Sequence, residues 1–265
     1  MSVLEATVLG IVQGFTEFLP VSSSGHLVLG QALLGIHLPG ITFEITVHLA
    51  TLCAVLWVYR RRVGSLAAGA VRGDRASWMY VGLLALASVP AGLVGWLARD
   101  WFESAFGRPF VAAALLLVTG FLVYSVRFTA PRAKDPAPSA LQAIWIGVAQ
   151  AAAILPGISR SGATVAVGAW RGVQAVAAAE FSFLMSVPAI LGAGLLLLGD
   201  AGESAGGPDS LALAAGFAAA LVAGVAAIRL FVRMLESGAF HRFAWYCWGA
   251  GTAYLVAAVF SPGLR

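Results

Sequence analysis

Glu17 stands in an otherwise apolar stretch, four residues after Gln13. That spacing puts both side chains on one face of a helix. Together they offer oxygen ligands suited to a hard divalent cation, Mg2+ or Ca2+, that keeps several of its waters. Immediately downstream lie Ser22, Ser23, Ser24 and His26, in a Gly-containing turn that would open the next helix. A helix N-terminus presents unpaired N–H groups and a partial positive charge, which suits phosphate. His26 is then a candidate nucleophile or general acid, and Ser23 a candidate nucleophile or phosphate ligand. A second polar cluster, Ser159, Arg160, Ser161 and Thr164, surrounds Gly157 and Gly162 in the middle of another apolar stretch. An arginine at such depth needs an anionic partner, and its planar fork matches phosphate oxygens.

Plainer readings compete with each of these. Glu17 could cap a helix, the serines could be N-caps, His26 could be a satisfied interface residue, and Arg160 could pair internally with Glu17. Against them, an ionisable group at the centre of a membrane helix costs about 2.5–3.5 kcal/mol, so Glu17 and Arg160 are functional candidates by default. His37, His48, His241 and Gln150 are read instead as packing, interface or repeat remnants.

The bulk composition says that lipid is the solvent. Of the 265 residues 60% are hydrophobic and 11% are charged, and mean hydropathy is +0.90. A soluble domain cannot hide that much apolar surface, because its outside must face water. A hydrocarbon core of about 30 Å needs about 20 apolar residues per helix. Six segments meet that need, roughly 43–59, 78–98, 109–126, 179–199, 211–232 and 243–260. Two further stretches, about 2–36 and 141–171, are apolar but broken at their centres by LPVSSSGH (Leu19 to His26) and LPGISRSGAT (Leu155 to Thr164). The arm from Gly25 to Ile36 reaches only about 18 Å at about 1.5 Å per residue, too short to cross. Non-helical backbone at that depth survives only where protein or water covers it. Both broken stretches are therefore expected to be re-entrant helical hairpins.

Basic residues set the orientation. The loop 60–77 carries Arg60, Arg61, Arg62, Arg72 and Arg75, the loop 127–140 carries Arg127, Arg132 and Lys134, and Arg233 and Arg242 flank a third; all three should be cytoplasmic. The loop 200–210 has acids and no base, which suits the outside, and the loop 99–108 is balanced. The signs alternate only if neither hairpin crosses. The first hairpin then opens outward and the second inward, which implies an inverted repeat. Residues 10–25 (GIVQGFTEFLPVSSSG) and 147–162 (GVAQAAAILPGISRSG) support it, since Gly, Gln and the closing Gly align at a constant offset of 137. The expected fold is an all-α integral membrane protein with about six spans and two re-entrant hairpins. It forms a single domain over 1–265, with repeat one at about 1–128 and repeat two at about 141–260. Cys53 and Cys247, each inside an apolar segment, are expected to be packed, neither a disulfide nor a metal site. An early Glu5 and the lack of a basic leader argue against a cleavable signal peptide.

GFTEFLPVSSSGH and LPGISRSGAT resemble the two signature regions of bacterial undecaprenyl-diphosphatase, also called the bacitracin resistance protein. The resemblance runs along nearly the whole chain, including ASWM…SVPAG and AAEFSFLMSVPAILGAG. It implies hydrolysis of undecaprenyl pyrophosphate to undecaprenyl phosphate and inorganic phosphate, which recycles the lipid carrier of cell-wall synthesis and confers bacitracin resistance. It further implies a divalent cation on Gln13 and Glu17, with Gln13 a permitted variant of Glu. Catalysis would fall to Glu17, Ser23, His26 and Arg160, and phosphate binding to Ser22, Ser24, Ser159, Arg160, Ser161 and Thr164. Whether the serine or the histidine attacks stays open. Expected partners are the lipid pyrophosphate and membrane lipid, without nucleic acid and with a homodimer left open. The expected location is the bacterial inner membrane, with the site facing the extracytoplasmic side. A polyprenyl-phosphate flippase is the strongest alternative, because broken helices meeting at the midplane are also a transporter device. The other membrane lipid-phosphatase signature fails, since Arg108–Pro109 has no upstream lysine.

Overall fold

The computed structural model describes residues 1–34, 41–98, 101, 104–105, 107–200 and 209–260. Among these residues the regular structure is helical, with one isolated bridge between Asp135 and Val173. His37, half of the loop 99–108 and most of the loop 200–210 lie outside the described residues.

Both broken stretches form hairpins. The first consists of α1 (Val3–Phe18) and α2 (Ser23–Leu34). Ser2 and Glu5 close a reciprocal capping box at the start of α1. The helix stops because Leu19 precedes Pro20, whose ring disfavours helical backbone before it; Leu19 is extended at φ −63°, ψ 148°. The second hairpin consists of α7 (Ala140–Ala152) and α8 (Arg160–Trp170). Ser139 and Gln142 close the same capping box there.

Between and after the hairpins run α3 (Ile41–Val58), α4 (Arg60–Val71), α5 (Arg75–Leu97), α6 (Pro109–Thr129), α9 (Ala175–Asp200), α10 (Ser210–Glu236) and α11 (Phe243–Phe260). Five of these, α5, α6, α9, α10 and α11, are long and apolar enough to cross a membrane. The sixth expected span, α3, passes that test together with α4, which turns away from it by 76°. The segment 60–77, expected to be a loop, is therefore largely helical. Three consecutive arginines, Arg60 to Arg62, cannot follow α3 through hydrocarbon, so the chain bends at Tyr59 and continues as a basic helix. Arg62 is tied to Glu180 of α9 at 2.9 Å and lies over the Tyr80 ring at 4.5 Å. At the start of α5 the Ser77 hydroxyl and the N–H groups of Ser77 and Ala76 hold the Asp74 carboxyl below the usual carboxylate range. Cys247 is buried as expected, but Cys53 is exposed on the outer face of α3.

The hairpins are seated by small residues. Ala6, Gly10, Gly14 and Phe18 form the buried stripe of α1. A Cβ on Gly10 would strike the Gly216 carbonyl of α10, one on Gly14 would come within 2.5 Å of the Ala220 carbonyl oxygen, and Phe18 lies against Gly224. Contacts that advance together along both chains mean that α1 runs parallel to α10. Likewise Gly147 of α7 abuts the Ala87 carbonyl of α5, and Gly95 faces Ile154 beyond the end of α7, so α7 runs parallel to α5. Without a hydrophobic drive between helices in lipid, backbone approach through Gly and Ala supplies the packing. Below the tip of α1 an edge-to-face series continues from Phe18 to Phe183 (5.6 Å), Phe231 (5.0 Å) and Phe240 (4.9 Å), fixing the depth of the first loop.

These contacts separate two kinds of glycine. Gly147→Ala should destabilise the protein by about 1–3 kcal/mol, because the new methyl group meets carbonyl backbone that cannot move aside. Gly82→Ala, where an added Cβ meets nothing within 4 Å, should be neutral or stabilising by up to about 1 kcal/mol. Thermal unfolding of both variants in detergent, compared with the unsubstituted protein, checks the order.

Candidate active site

The two hairpin tips are built alike. Ser22 caps α2 by accepting from the Gly25 N–H at 3.2 Å, and Ser159 caps α8 by accepting from the Gly162 N–H at 3.2 Å. The capping hydroxyl is within 3.4 Å of Ser24 Oγ in the first tip and 3.2 Å of Ser161 Oγ in the second. The tips are also joined. Ser22 Oγ accepts from the Gly157 N–H at 3.1 Å. Thr119, fully buried in α6, donates to the Gly157 carbonyl at 2.7 Å and accepts from the Ser159 N–H at 2.9 Å. Gly157 has φ +99° and a Cβ there would overlap the Ala112 carbonyl, so no other residue fits. Ser22 itself holds φ +66°, an uncommon backbone for a residue with a side chain, which its buried hydrogen bonds stabilise.

Across this junction Arg160 Nη2 meets Glu17 Oε1 at 2.7 Å, with side-chain exposures of 16% and 9%. Ser23 Oγ donates to the other carboxylate oxygen at 3.0 Å, and Gln13 Nε2 lies 3.1 Å from the same atom. The internal pairing of Arg160 with Glu17 is thus present, and it leaves Arg160 Nη1 buried with no hydrogen-bond partner among the described residues.

Glu17, Ser22, Ser23, Ser24, Ser159 and Arg160 line one cavity of about 840 Å3. Its other wall is apolar and small: Ala91, Gly92, Gly95 and Trp96 of α5, Ile154 and Ile158 of the second loop, and Pro188, Ala189 and Gly192 of α9. The remaining expected site residues point elsewhere. Thr164 is fully buried and bonded to the Arg160 carbonyl and to Ser182 Oγ, both at 2.7 Å. Ser161 faces the Leu19 carbonyl at 3.4 Å, and neither residue lines the cavity. His26 turns to α11, where Nε2 is 2.6 Å from the Tyr246 hydroxyl, Nδ1 is 2.8 Å from the Ser22 carbonyl, and the two rings stack.

Two side chains set aside on sequence lie at or beside the site. His48 Nε2 comes within 3.4 Å of Gln13 Nε2, and Gln150 lines the cavity. The offset of 137 that pairs Gln13 with Gln150 was the available signal for the second; nothing in the sequence pointed to His48 or Thr119.

Among the described residues no group of three His, Cys, Asp or Glu side chains could hold a metal. The donor set nevertheless fits a hard cation held mainly by its ligand. Turning the Gln13 amide over would place its oxygen beside the Glu17 carboxylate, two oxygen donors of the kind a hard cation takes.

The model of the bacitracin resistance protein BacA family matches residues 6–253. An undecaprenyl-diphosphatase of Rubrobacter xylanophilus is 40% identical over 270 residues, covering 98% of each chain. One of Bacteroides thetaiotaomicron is 39% identical (97% of this chain, 99% of the relative), and one of Desulforapulum autotrophicum 36% (97% and 99%). With the match running through both hairpin tips and five or six spans, the chain belongs to the bacitracin resistance protein BacA family.

Proposed function

We propose that the protein hydrolyses undecaprenyl pyrophosphate to undecaprenyl phosphate and inorganic phosphate, at the cavity between the two hairpin tips. One observation carries the reading: Ser23 of the first hairpin and Arg160 of the second each lie within hydrogen-bonding distance of Glu17, at the polar end of a cavity whose other wall is apolar. Such a site takes a charged headgroup and a hydrocarbon chain together. A binding site for transport would need the cation but not a hydroxyl placed against a carboxylate.

The geometry supports Ser23 as the attacking group. Its hydroxyl already donates to Glu17, so the carboxylate accepts the proton as Oγ attacks the terminal phosphorus. The bridging P–O bond breaks and undecaprenyl phosphate leaves. Water then cleaves the phosphoserine, releasing inorganic phosphate and restoring the hydroxyl. Charge accumulating on the non-bridging oxygens faces Arg160 and the N-termini of α2 and α8. Arg160 Nη2 stays on Glu17 while Nη1 is free to meet phosphate. A divalent cation held by Gln13 and Glu17 would add charge neutralisation at the headgroup. His26, held by Tyr246 and Ser22, serves the architecture of α2 rather than the attack.

The membrane is the bacterial inner membrane and the cavity opens to its extracytoplasmic side. Arg60 to Arg62 put the end of α3 inside, and Arg233 puts the end of α10 inside. Since α1 runs parallel to α10, it starts outside, whereas α7 runs parallel to α5 and starts inside. The two hairpins then come in from opposite faces, which is the arrangement of an inverted repeat, with repeat one over about 1–128 and repeat two over about 141–260.

Three measurements test this reading. Ser23→Ala should lower phosphate release by at least about a thousandfold, whereas His26→Phe should retain readily measurable turnover; rapid quenching and mass spectrometry should find phosphate on Ser23 and not on His26. Arg160→Lys keeps a cation for Glu17 but loses the fork, so kcat/KM should fall about a hundredfold in a folded protein, whereas Arg160→Ala should cost about 3–5 kcal/mol of stability by stranding Glu17. A cysteine replacing Ser24, in a chain lacking Cys53 and Cys247, should react with an impermeant thiol reagent added to intact cells; reaction only at the inner face reverses the orientation.

A further inference from the structure

Gln150 is 96% buried in α7, and neither its Nε2 nor its Oε1 has a hydrogen-bond partner among the described residues. Buried amides are nearly always satisfied, so an orphan calls for a reason. Two observations supply one. Gln150 lines the same cavity as Arg160, and among the described residues Arg160 Nη1 is the other buried side-chain nitrogen left without a partner. The corresponding glutamine of the first hairpin, Gln13, is answered by Glu17 one turn later, but the residue one turn after Gln150 is Ile154. Gln150 therefore has a buried donor and a buried acceptor beside a cavity that the residue helps to line, and no carboxylate to satisfy them.

We infer that Gln150 is a substrate-binding residue, whose Nε2 donates to a non-bridging oxygen of the lipid diphosphate alongside Arg160 Nη1. The Oε1 accepts from the headgroup when one phosphate oxygen carries a proton. This rests on the proposed diphosphatase reading and adds to it a neutral ligand from the second hairpin. Neutrality matters, because the headgroup already meets the Glu17 carboxylate, and a second fixed negative charge would repel it. Along the same segment Gln150 is followed in the lining by Ala153, Ile154 and Ile158, which offer the hydrocarbon chain an apolar surface.

Gln150→Leu removes both polar atoms with little change in volume. Because the amide is unsatisfied without ligand, the ligand-free variant should melt at or above the temperature of the unsubstituted protein. Its KM for undecaprenyl pyrophosphate should rise about tenfold or more, the loss of one hydrogen bond to a charged group, with a smaller change in kcat. The thermal stabilisation given by a methylene-bridged diphosphate analogue of the lipid should shrink in parallel. Gln150→Glu, which keeps the shape but adds charge, should raise KM further. An unchanged KM and an unchanged analogue shift would overturn the inference. So would a lower ligand-free melting temperature or failure to fold in both variants, since the amide would then be bonded within the protein. If the unsubstituted protein binds the analogue but releases no phosphate, the diphosphatase reading fails and the comparison of analogue shifts still decides the role of Gln150.

Discussion

A carboxylate and a guanidinium largely withdrawn from solvent, far apart along the chain but 2.7 Å apart in space, set the terms for the rest of this molecule. Neither Glu17 nor Arg160 could stay ionised alone at the depth of a hairpin tip. Held as a pair they attract strongly, but desolvation offsets much of that attraction, so the contact constrains the fold more than it stabilises it. The constraint is geometric: α1 must end, and α8 must begin, at one point inside the protein. Each hairpin is therefore packed on a helix of the other half of the chain, α1 on α10 and α7 on α5, with glycines where the backbones touch.

Bringing two chain breaks to one buried point raises a second problem, the polar backbone that the breaks release. The structure resolves it with side chains from elsewhere. Ser22 satisfies N–H groups of both loops, and Thr119 takes both a carbonyl and an N–H of the second. These hydroxyls cost little to bury because each is itself bonded. The same rule separates Ser161 and Thr164 from the cavity. Thr164 is bonded within the protein, to the Arg160 carbonyl and to Ser182, where it helps hold the first turn of α8 from behind.

How much of this was legible in the sequence follows from the range of each interaction. Hydropathy and length located the spans and the two breaks, because lipid selects on local composition. The i, i+4 rule placed Gln13 beside Glu17, since one helix decides it. What stayed hidden depends on partners distant in sequence. His48 reaches Gln13 from α3, Thr119 reaches Gly157 from α6, and Tyr246 draws His26 toward α11. The bend at Tyr59 was missed for another reason. A run of arginines marks where a span must end, but not whether the chain then unwinds or continues as a helix along a new direction. The positive φ of Ser22 likewise has no sequence signature, because it is maintained by hydrogen bonds to the other hairpin.

Comparing the tips position by position shows where their chemistry agrees and where it differs. At the offset of 137 the capping boxes Ser2–Glu5 and Ser139–Gln142 correspond, as do the helix caps Ser22 and Ser159 and the glycines Gly25 and Gly162. These positions do structural work that both hairpins need, and their chemistry is alike in the two tips. The differences fall where opposite roles are required. Glu17 corresponds to Ile154, Ser23 to Arg160, and His26 to Ala163. Two identical acidic tips facing each other would repel, and two basic ones would do the same, so a shared site between such hairpins is stable only if one supplies the anion and the other the cation. The same asymmetry gives the site its direction. The hydroxyl and the carboxylate that can move a proton stand together on the first tip, and the cation that can receive phosphate charge stands on the second, across a cavity that both tips line.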